Sequence, residues 1–567
     1  MNKTFKEDFT IVVAGQAGQG IQTVAKILSH ILKLSGYHVF VTQEYMSRVR
    51  GGINSTTIRV SNQRRNAQLS KVDLFISLDS TACHHCQQRF SSETLFLGEK
   101  NLTNEKQEFL QINFNEIANR VGNRLFANTV AIGSILGLMG VNESTAKNYV
   151  KDYFSKKGKD IVDNNLEAFQ IGYKNGNHLA FSNDINFEFK ENQEVKDDVF
   201  LSGAEIIGLG ALAGGCNFCS SYPMSPSTNV LNFLAKHGKE NGVIVDQAMD
   251  EIEAVNMVLG VWYAGGRGLV NTAGGGFALM CETISLAGMI EMPLVVHVAG
   301  RPGPATGLPT RTAQEDLNLV LYAGHGEFMR AIFAPGTAMQ GYELMVKAFD
   351  VADNFQVPVF VLTDQHFIDS LFCIERKDFA VRLSDNNIVK TEENYKRYEL
   401  TESGISKRGV PGWGEGLVCV DGDEHDEDGR ITEDMQFLRK EMMDKRFFKR
   451  KELLEEVALV PTTENFKESE KVIVCWGSNF NVVKEAIERS GRDDLGFVHF
   501  SQLFPFHKKT KEMFSRDREF VMVENNASGQ MADLIEKELK VRIEKRILKF
   551  NGEPFCVEEL VEGFLEL

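Results

Sequence analysis

The sequence lacks the excess of basic residues that binding to nucleic acid or to an anionic membrane requires. It has 62 Lys and Arg against 78 Asp and Glu, a net charge of −16 at pH 7, so the molecule as a whole repels polyanions. Long apolar runs are also missing. The segment of the first eight residues contains several charged side chains and leads directly into a strand-like segment at residues 9–13. No later apolar run is long enough to cross a bilayer uninterrupted. These absences predict a cytoplasmic protein that binds neither nucleic acid nor membrane.

The sequence also lacks a cysteine-rich framework: nine cysteines in 567 residues is an ordinary number. An odd number in a chain of this length argues against a disulfide framework. Two Cys-x-x-Cys pairs occur, at Cys83 with Cys86 and at Cys216 with Cys219. They are far apart in the sequence, and neither lies in the dense cysteine run of a ferredoxin, which disfavours a shared zinc or iron-sulfur site. No metal site is therefore predicted in this chain, and any redox centre is expected on another one.

A chain of 567 residues is too long for a single hydrophobic core. Clusters of Val and Ile alternate with segments of helical periodicity, which predicts an α/β fold of parallel sheets covered by helices. The acidic run at residues 421–428 could hold a hard cation, but its spacing fails the EF-hand pattern and favours a solvated connector. Changes in composition predict five segments, at residues 1–186, 187–198 (a linker), 199–373, 374–469 (a charged connector) and 470–567.

Two glycine-containing motifs stand in the first segment. Residues 15–20 (GQAGQG) lie between a predicted strand and a predicted helix, where glycines let backbone N–H groups approach an anion. Ala17 replaces the second glycine of the dinucleotide fingerprint, so a nicotinamide site is disfavoured; a packing turn and a contact to another phosphate ligand both stay open. Residues 45–52 (YMSRVRGG) combine two arginines with two glycines, which suits phosphate or carboxylate recognition and equally a subunit interface.

Three motifs in the third segment are candidates for an active site. In residues 222–228 (YPMSPST) two prolines would fix the direction of the Ser225 hydroxyl, although a turn capped by serine explains the pattern too. Residues 250–256 (DEIEAVN) open a predicted helix with Glu251 and Glu253, which could be a buried functional acid or simply charges that favour the helix N-terminus. Residues 271–277 (NTAGGGF) are small enough for close backbone approach.

A fourth motif, residues 301–314 (RPGPATGLPTRTAQ), contains two arginines in a loop. Arg301 and Arg311 each offer a planar, permanently charged fork for a carboxylate. Taken alone, loop arginines are more often interface salt bridges.

Together these motifs resemble the 2-oxoacid:ferredoxin (acceptor) oxidoreductases, with the gamma subunit fused in front of the alpha subunit. Residues 15–20 and 50–52 are similar to the gamma subunit, and residues 222–228 and 250–256 resemble the family's YPITPS and EDEIAA-like motifs. Residues 301–314 match its RGGPSTGLPTRTEQ segment almost position for position. The resemblance implies a gamma-type α/β domain, a doubly wound domain that binds the pyrimidine of thiamine diphosphate, and a transketolase C-terminal-like domain carrying residues 476–478 and 524–530.

The resemblance also implies roles for individual residues. Glu251 would hydrogen-bond the aminopyrimidine ring, with Glu253 as the fallback. The remaining residues divide into an oxoacid group (Ser225, Arg301, Thr310, Arg311), a cofactor group (Tyr222, Pro223, Gly274, Gly275) and a coenzyme A group (Gly18, Gly20, Arg50, Gly51, Gly52). The sequence departs from the family at Met224 and Ser225, at Ala204, and in the 271–276 turn, where the family reads Ile and Thr, Asn, and TSGPG.

Half of the expected cofactor site is missing from this chain. The magnesium signature of thiamine-diphosphate enzymes is GDG followed by Asn, and the nearest approximation, residues 422–424, has no such Asn. The resemblance therefore implies a beta subunit that carries Mg²⁺, the diphosphate grip and a [4Fe-4S] cluster, in a heterotetramer of two alpha and two beta chains that reduces ferredoxin. The expected reaction is oxidative decarboxylation of a 2-oxoacid with coenzyme A, with 2-oxoglutarate as first candidate. The rivals are a non-oxidative decarboxylase or transketolase-like enzyme and a catalytically silent scaffold.

Overall fold

The computed structural model describes residues 2–47, 52–102, 109–376, 379, 387–514 and 518–567. The chain forms two compact units. The first comprises Met1–Leu201, Ser370–Phe379 and Cys556–Glu559, and the second Ser202–Asp369, Ala380–Phe555 and Leu560–Leu567. Both are α/β structures, so the predicted fold class is confirmed; the finer division into five segments stays a prediction.

The first unit is built on a mixed eight-stranded sheet. Its strands and helices in residues 2–202 are β1 (Lys3–Phe5), β2 (Asp8–Gln16), α1 (Ile21–Leu34), β3 (His38–Glu44), β4 (Ile53–Ser61), β5 (Leu74–Ser77), α2 (Ala82–Cys86), β6 (Leu95–Gly98), β7 (Phe109–Gln111), α3 (Phe114–Val121), α4 (Ala127–Leu138), α5 (Glu143–Phe154), α6 (Lys159–Asn183), β8 (Ile185–Phe187) and β9 (Val199–Ser202). The predicted strand at residues 9–13 and the helix near Ile21 are both present.

Apolar side chains on strand β2 and helix α1 explain how this sheet packs. The middle of β2 alternates its buried side chains to the two faces of the sheet, and α1 covers one face with Val24, Leu28 and Ile31, which recur at helical spacing. Strand β2 pairs antiparallel with β4 and parallel with β5. The order of strands is β7-β6-β5-β2-β4-β3, continued by β16 (Leu371–Ile374) and β9.

The second unit begins with a seven-stranded sheet. Its strands and helices up to residue 369 are α7 (Gly203–Ala213), β10 (Phe218–Ser221), α8 (Thr228–His237), β11 (Ile244–Gln247), α9 (Glu251–Tyr263), β12 (Gly268–Thr272), α10 (Gly274–Phe277), α11 (Cys281–Met289), β13 (Leu294–Gly300), α12 (Leu317–Tyr322), β14 (Ala331–Phe333), α13 (Ala338–Phe355), β15 (Pro358–Asp364) and α14 (Gln365–Asp369). The order is β11-β10-β12-β13-β15-β14-β22, where β22 is Gln502–Phe504, and the strands are parallel throughout except for the last pair. Strands β13 and β15 are buried along their whole length, as expected for the centre of a doubly wound sheet.

The rest of the second unit carries a five-stranded sheet. The strands and helices in this part of the unit are β17 (Ile388–Thr391), β18 (Arg408–Gly414), α15 (Leu438–Met443), α16 (Arg450–Val457), β19 (Thr462–Glu464), β20 (Lys471–Trp476), α17 (Phe480–Ser490), β21 (Leu495–Phe500), β22 (Gln502–Phe504), α18 (Thr510–Met513), β23 (Glu519–Glu524), α19 (Gln530–Leu539), β24 (Lys545–Leu548) and, from Leu560 onward, α20 (Val557–Leu565). Strand order β19-β21-β20-β23-β24 is parallel apart from β19. Strand β22 leaves this region to complete the seven-stranded sheet.

The acidic run at residues 421–428 makes specific contacts. Glu424 accepts hydrogen bonds from Arg446 Nη2 at 2.8 Å, Glu427 pairs with Lys396 at 2.9 Å, and His425 is buried. Across the described ranges, no helix is long and apolar enough to cross a membrane. The same ranges contain no group of three or more His, Cys, Asp or Glu side chains arranged to hold a metal ion.

Candidate active site at the carboxyl ends of the parallel strands

The loop after β10 carries Ser225 and is tied to the next strands by a buried chain of hydrogen bonds. Asn271 Nδ2 donates to the carbonyl oxygen of Ser227 at 2.7 Å, and Asn271 Oδ1 lies 2.6 Å from His297 Nδ1. The other ring nitrogen of His297 lies 2.9 Å from Thr363 Oγ1. Burial lowers the pKa of His297 to about 3, so the ring is neutral, and Nδ1 carries the proton because the amide oxygen can only accept.

Arg301 lies next to this loop. Its Nη1 donates to the carbonyl oxygen of Ser225 at 2.7 Å, which joins two residues that the sequence predicts for oxoacid binding. Burial lowers the pKa of the Arg301 guanidinium, and the charge of Asp316 opposes that shift. Tyr222, predicted on the cofactor side, is 41% exposed, and Pro223 is half-buried.

Glu251 is the first residue of α9, and its side chain is turned into the protein. Only 3% of the residue is exposed, and within the described residues its Oε1 is buried without a hydrogen-bond partner. Burial raises the pKa of Glu251 above its usual range against an opposing backbone hydrogen bond, and nearby Asp250 adds to the rise. An unpaired buried carboxyl is costly to the fold, so this side chain is available to a ligand.

Glu253 has a different task. Asp250 caps α9 by accepting a hydrogen bond from the Glu253 backbone N–H at 2.8 Å, and Glu253 Oε2 accepts one from the Met249 backbone N–H at 2.6 Å. These reciprocal bonds resemble a capping box and satisfy free N–H groups at the start of the helix. Of the two acids proposed from the sequence, Glu253 therefore uses its carboxylate to cap the helix, whereas the Oε1 atom of Glu251 has no hydrogen-bond partner in the part of the chain that the structure describes.

Two carboxyl groups lie against helix α10, which contains three consecutive glycines. A Cβ on Gly276 would overlap Glu251 Oε1 and Thr272 Oγ1, and a Cβ on Gly274 would overlap both carboxylate oxygens of Asp316. Gly275, which the sequence predicts to contact the cofactor, is open: the nearest atom to its Cβ would be the carbonyl oxygen of Ala305 at 3.6 Å. Gly276 and Asp316 lie at the candidate site, and the sequence reasoning named neither as a site residue.

Gln314 links the arginine loop to the five-stranded part of the unit. Its Nε2 donates to the Trp476 carbonyl at 3.0 Å, and its Oε1 accepts from Asn479 Nδ2 at 2.9 Å and from the Asn525 backbone N–H at 3.0 Å. The motifs at residues 301–314, 476–478 and 524–530 therefore meet in one buried network.

Arg311 and Thr310 lie at the far end of this loop. Thr310 is buried, and the Thr312 backbone N–H donates to the Gly552 carbonyl at 3.1 Å. A Cβ on Gly552 would lie 3.2 Å from Arg311 Cβ. The structure thus brings Arg301 to Ser225 and places Arg311 beside Gly552.

In the first unit, the glycine motif forms the predicted turn between β2 and α1. Gly18 and Gly20 have φ of 93° and 80°, a left-handed conformation that favours glycine. The Ala17 backbone N–H donates to the Gly52 carbonyl at 3.2 Å, which joins the two predicted glycine motifs. Arg50 and Gly51 lie outside the described residues. Ala204, the departure noted above, is buried in α7, whose capping box is formed by Ser202 and Glu205.

Comparison with known families agrees with this division of the chain. Residues 209–445 match the family described as pyruvate flavodoxin/ferredoxin oxidoreductase, thiamine diP-binding, and residues 10–175 match pyruvate ferredoxin/flavodoxin oxidoreductase. The 2-oxoacid:ferredoxin oxidoreductase subunit alpha of Sulfolobus sp is 28% identical over 617 residues, which cover 98% of this chain and 96% of the relative. The 2-oxoglutarate synthase subunit KorA of Methanothermobacter thermautotrophicus is 27% identical and covers 65% of this chain and 99% of its own length.

One solved structure is similar over the whole chain. The 2-oxoglutarate:ferredoxin oxidoreductase from Magnetococcus marinus, solved with 2-oxoglutarate, coenzyme A and succinyl-CoA bound, is 29% identical, with a TM-score of 0.91 and coverage of 99% of this chain and 100% of that chain. The fold and the matches define an oxidoreductase with a thiamine-diphosphate-binding domain. The chain belongs to the 2-oxoacid:ferredoxin oxidoreductases.

Proposed function

We propose that this chain is the gamma-alpha fused subunit of an enzyme that decarboxylates a 2-oxoacid oxidatively with coenzyme A and passes the electrons to ferredoxin. The observation that carries the proposal is the buried Oε1 of Glu251, which lies against Gly276 and has no hydrogen-bond partner in the described part of the chain. The first candidate substrate is 2-oxoglutarate, because a structure that matches 99% of this chain was solved with it. Pyruvate and branched oxoacids are the alternatives.

The residues present fit the pyrimidine half of thiamine diphosphate. A buried acid with one free oxygen suits a hydrogen bond to the aminopyrimidine ring, where water would otherwise compete. Gly274 and Gly275 would let the ring approach the backbone, and Tyr222 and Pro223 would border it. When bound, thiamine diphosphate supplies the electron sink for the carbon that loses CO₂. The task of Glu251 is to hold and orient the ring.

The substrate residues have distinct tasks in this proposal. Arg301 would bind a carboxylate of the oxoacid, because a guanidinium gives a planar, charge-assisted pair of N–H donors. Ser225 would offer its hydroxyl from a loop that Arg301 and Asn271 hold in place. Thr310 and Arg311 would contribute from the far end of the arginine loop.

Coenzyme A is assigned to the first unit. Gly18 and Gly20 shape a strand-to-helix turn whose backbone N–H groups suit a phosphate, and Gly52 holds that turn. Arg50 and Gly51 complete the candidate set from the sequence.

A partner subunit is required by what this chain does not supply. We propose a beta subunit that carries Mg²⁺, the diphosphate grip and a [4Fe-4S] cluster, in a heterotetramer of two alpha and two beta chains. Support comes from the surface beside Glu251, where Met249, Ile252 and Leu279 are 82%, 50% and 53% exposed. Exposed large apolar side chains grouped at a site indicate a surface that a partner covers. A cytoplasmic location stays a prediction from the sequence.

The test is an assay of the chain purified together with its partner. Several 2-oxoacids are supplied in turn with coenzyme A, thiamine diphosphate, Mg²⁺ and a viologen dye. We expect a brown complex that reduces the dye and forms an acyl-CoA, fastest with 2-oxoglutarate. A colourless active protein would support a non-oxidative thiamine-diphosphate enzyme instead, and a complete but inactive complex would support a scaffold.

A further inference from the structure

Asp316 has a carboxyl group that the fold does not use. It precedes α12 at the N-cap position, where Asp commonly accepts a hydrogen bond from the helix, yet its side chain makes no such bond. Its Oδ2 is buried without a hydrogen-bond partner in the described residues. A buried carboxylate oxygen without a hydrogen-bond partner is costly to the fold, which makes Asp316 a candidate for a functional role.

The position of Asp316 connects it to the proposed oxoacid site. Its carboxylate lies against Gly274 in the glycine helix, and Oδ2 would be 3.6 Å from a Cβ on Gly300, the residue just before Arg301. Asp316 and Arg301 influence each other's charge, but they form no ion pair in the described part of the chain. Arg301 uses Nη1 to bind the Ser225 carbonyl oxygen. The other N–H groups of its guanidinium are therefore left for a ligand.

We propose that Asp316 is a counter-ion that controls oxoacid binding at Arg301 and takes up a proton from solvent when the oxoacid carboxylate arrives. This inference rests on the proposed function. In the free site the charge of Asp316 acts on the Arg301 guanidinium, whereas in the complex the oxoacid carboxylate would act on the same guanidinium. Like charges this close favour protonation of one of them, and Asp316 is the one that can accept the proton.

The groups around Asp316 favour protonation of its carboxylate. Burial, with a contribution from neighbouring Glu315, raises the pKa of Asp316 to about 6, and Arg301 opposes the rise. Glu315 itself is held by the Gly303 backbone N–H, which donates to its Oε2 at 2.9 Å. Glu251 approaches the same glycine helix from α9. A bound oxoacid carboxylate adds negative charge and raises the pKa of Asp316 further.

Protonation of Asp316 determines how the KM for the oxoacid changes with pH. Well below its pKa of about 6, Asp316 is neutral and the oxoacid binds without proton uptake. Above pH 6 a proton must be taken up, so the KM for the oxoacid rises with pH by up to about tenfold per pH unit until the pKa of the complex is passed. The turnover number kcat does not follow this rise, because Asp316 is a positioning residue that acts through Arg301.

The experiment compares Asp316→Asn with the wild type in the complex purified with the partner subunit. The KM and kcat for 2-oxoglutarate are measured from pH 5.5 to 8, and binding of the unreactive analogue N-oxalylglycine is followed calorimetrically in two buffers of different ionisation enthalpy. Asn keeps the shape but cannot titrate. We expect a flatter KM profile and loss of proton uptake in the variant, with an unchanged or higher Tm.

Two further variants distinguish an error in the inference about Asp316 from an error in the proposed function. Glu315→Gln, the matched control, retains the pH-dependent KM with a slightly lower midpoint. If Asp316→Asn keeps the wild-type profile and proton uptake, or loses Tm in proportion to its binding defect, the inference about Asp316 is wrong while the proposed function stands. If Arg301→Lys leaves the KM for every oxoacid unchanged, the assignment of the carboxylate site in the proposed function fails first.

Discussion

Glu251 and Gly276 occupy one continuous space: any side chain at residue 276 would overlap the Oε1 atom of Glu251. The acid begins α9 and the glycine lies in α10, between strands β12 and β13. Because α9 also packs against the turn that follows α10, the position of the carboxyl group is fixed by both elements. The glycine therefore helps to shape the candidate site even though it has no functional group.

Replacing Gly276 by alanine should displace Glu251 without removing it. A displacement of about 1 Å at a positioned group can cost about a hundredfold in rate, so we expect a loss of turnover of that order and weaker binding of thiamine diphosphate. The measurement is kcat and cofactor affinity in the assembled complex.

Gly260→Ala is the matched control for this variant. Gly260 lies in the same helix as Glu251, and a Cβ there meets no atom within 4 Å. Activity should be retained, and the free energy of unfolding should rise by about 1 kcal/mol because alanine favours an exposed helix position. Equal damage from both alanines would contradict the account of Gly276.

His297 predicts a dependence of stability on pH. Its pKa is about 3 in the folded protein and about 6.5 when unfolded. The unfolded chain therefore binds the extra proton between these values, and stability falls as the pH drops from 6.5 towards 3, by up to about 1.4 kcal/mol per pH unit. Removing the ring should weaken this fall.

The comparison is between the Tm values of wild type and His297→Gln at pH 7 and pH 5, with His178→Gln on the exposed surface of α6 as control. The His297 variant should be less stable than wild type at pH 7 because Asn271 and Thr363 lose a partner. Its further loss of Tm on acidification should be smaller. An identical acid-induced loss in all three proteins would rule out this role of His297.

Replacement of the buried residue Glu291 is expected to lower the stability of the fold strongly. It is fully buried, and its carboxylate pairs with Lys445 at 2.5 Å and with Arg450. Although burial alone would raise the pKa of Glu291, Arg450 and Lys445 hold it below its usual range. Glu291→Gln would leave two buried cations without their partner, and we expect a loss of about 3–5 kcal/mol in the free energy of unfolding.

Urea unfolding at pH 7 measures this loss. Glu464→Gln breaks the exposed pair with Lys484 and should cost less than about 1 kcal/mol. Losses of similar size in the two variants would show that the Glu291 cluster does not stabilise the fold as proposed.

Local patterns in the sequence were sufficient for the fold class and for many elements. The buried strands β2, β13 and β15 are short apolar runs rich in Val, and Asp250 followed by Glu253 marks the start of α9. Such signals depend on neighbours in the chain, so they can be read without knowing the tertiary structure.

The contacts that complete the site come from residues far apart in the chain. Gln314 joins Trp476, Asn479 and Asn525, and no local pattern predicts which distant backbone groups a loop glutamine will reach. His297 gave a signal that was overlooked: it is the one polar residue in the apolar strand β13, and a buried histidine needs partners. Asp316 gave no signal in the sequence, because only the fold shows that its carboxyl does not cap α12 and that its Oδ2 is buried without a partner among the described residues.

Glu251 is proposed to hold the aminopyrimidine ring of thiamine diphosphate, and the variant Glu251→Gln tests this role. In the complex purified with its partner, we expect Gln at this position to lower turnover by about a hundredfold or more while subunit assembly and Tm stay unchanged, because the fold leaves Oε1 unpaired. Glu253→Gln, which keeps an oxygen for the Met249 N–H, should remain active. Full activity in Glu251→Gln would contradict the account.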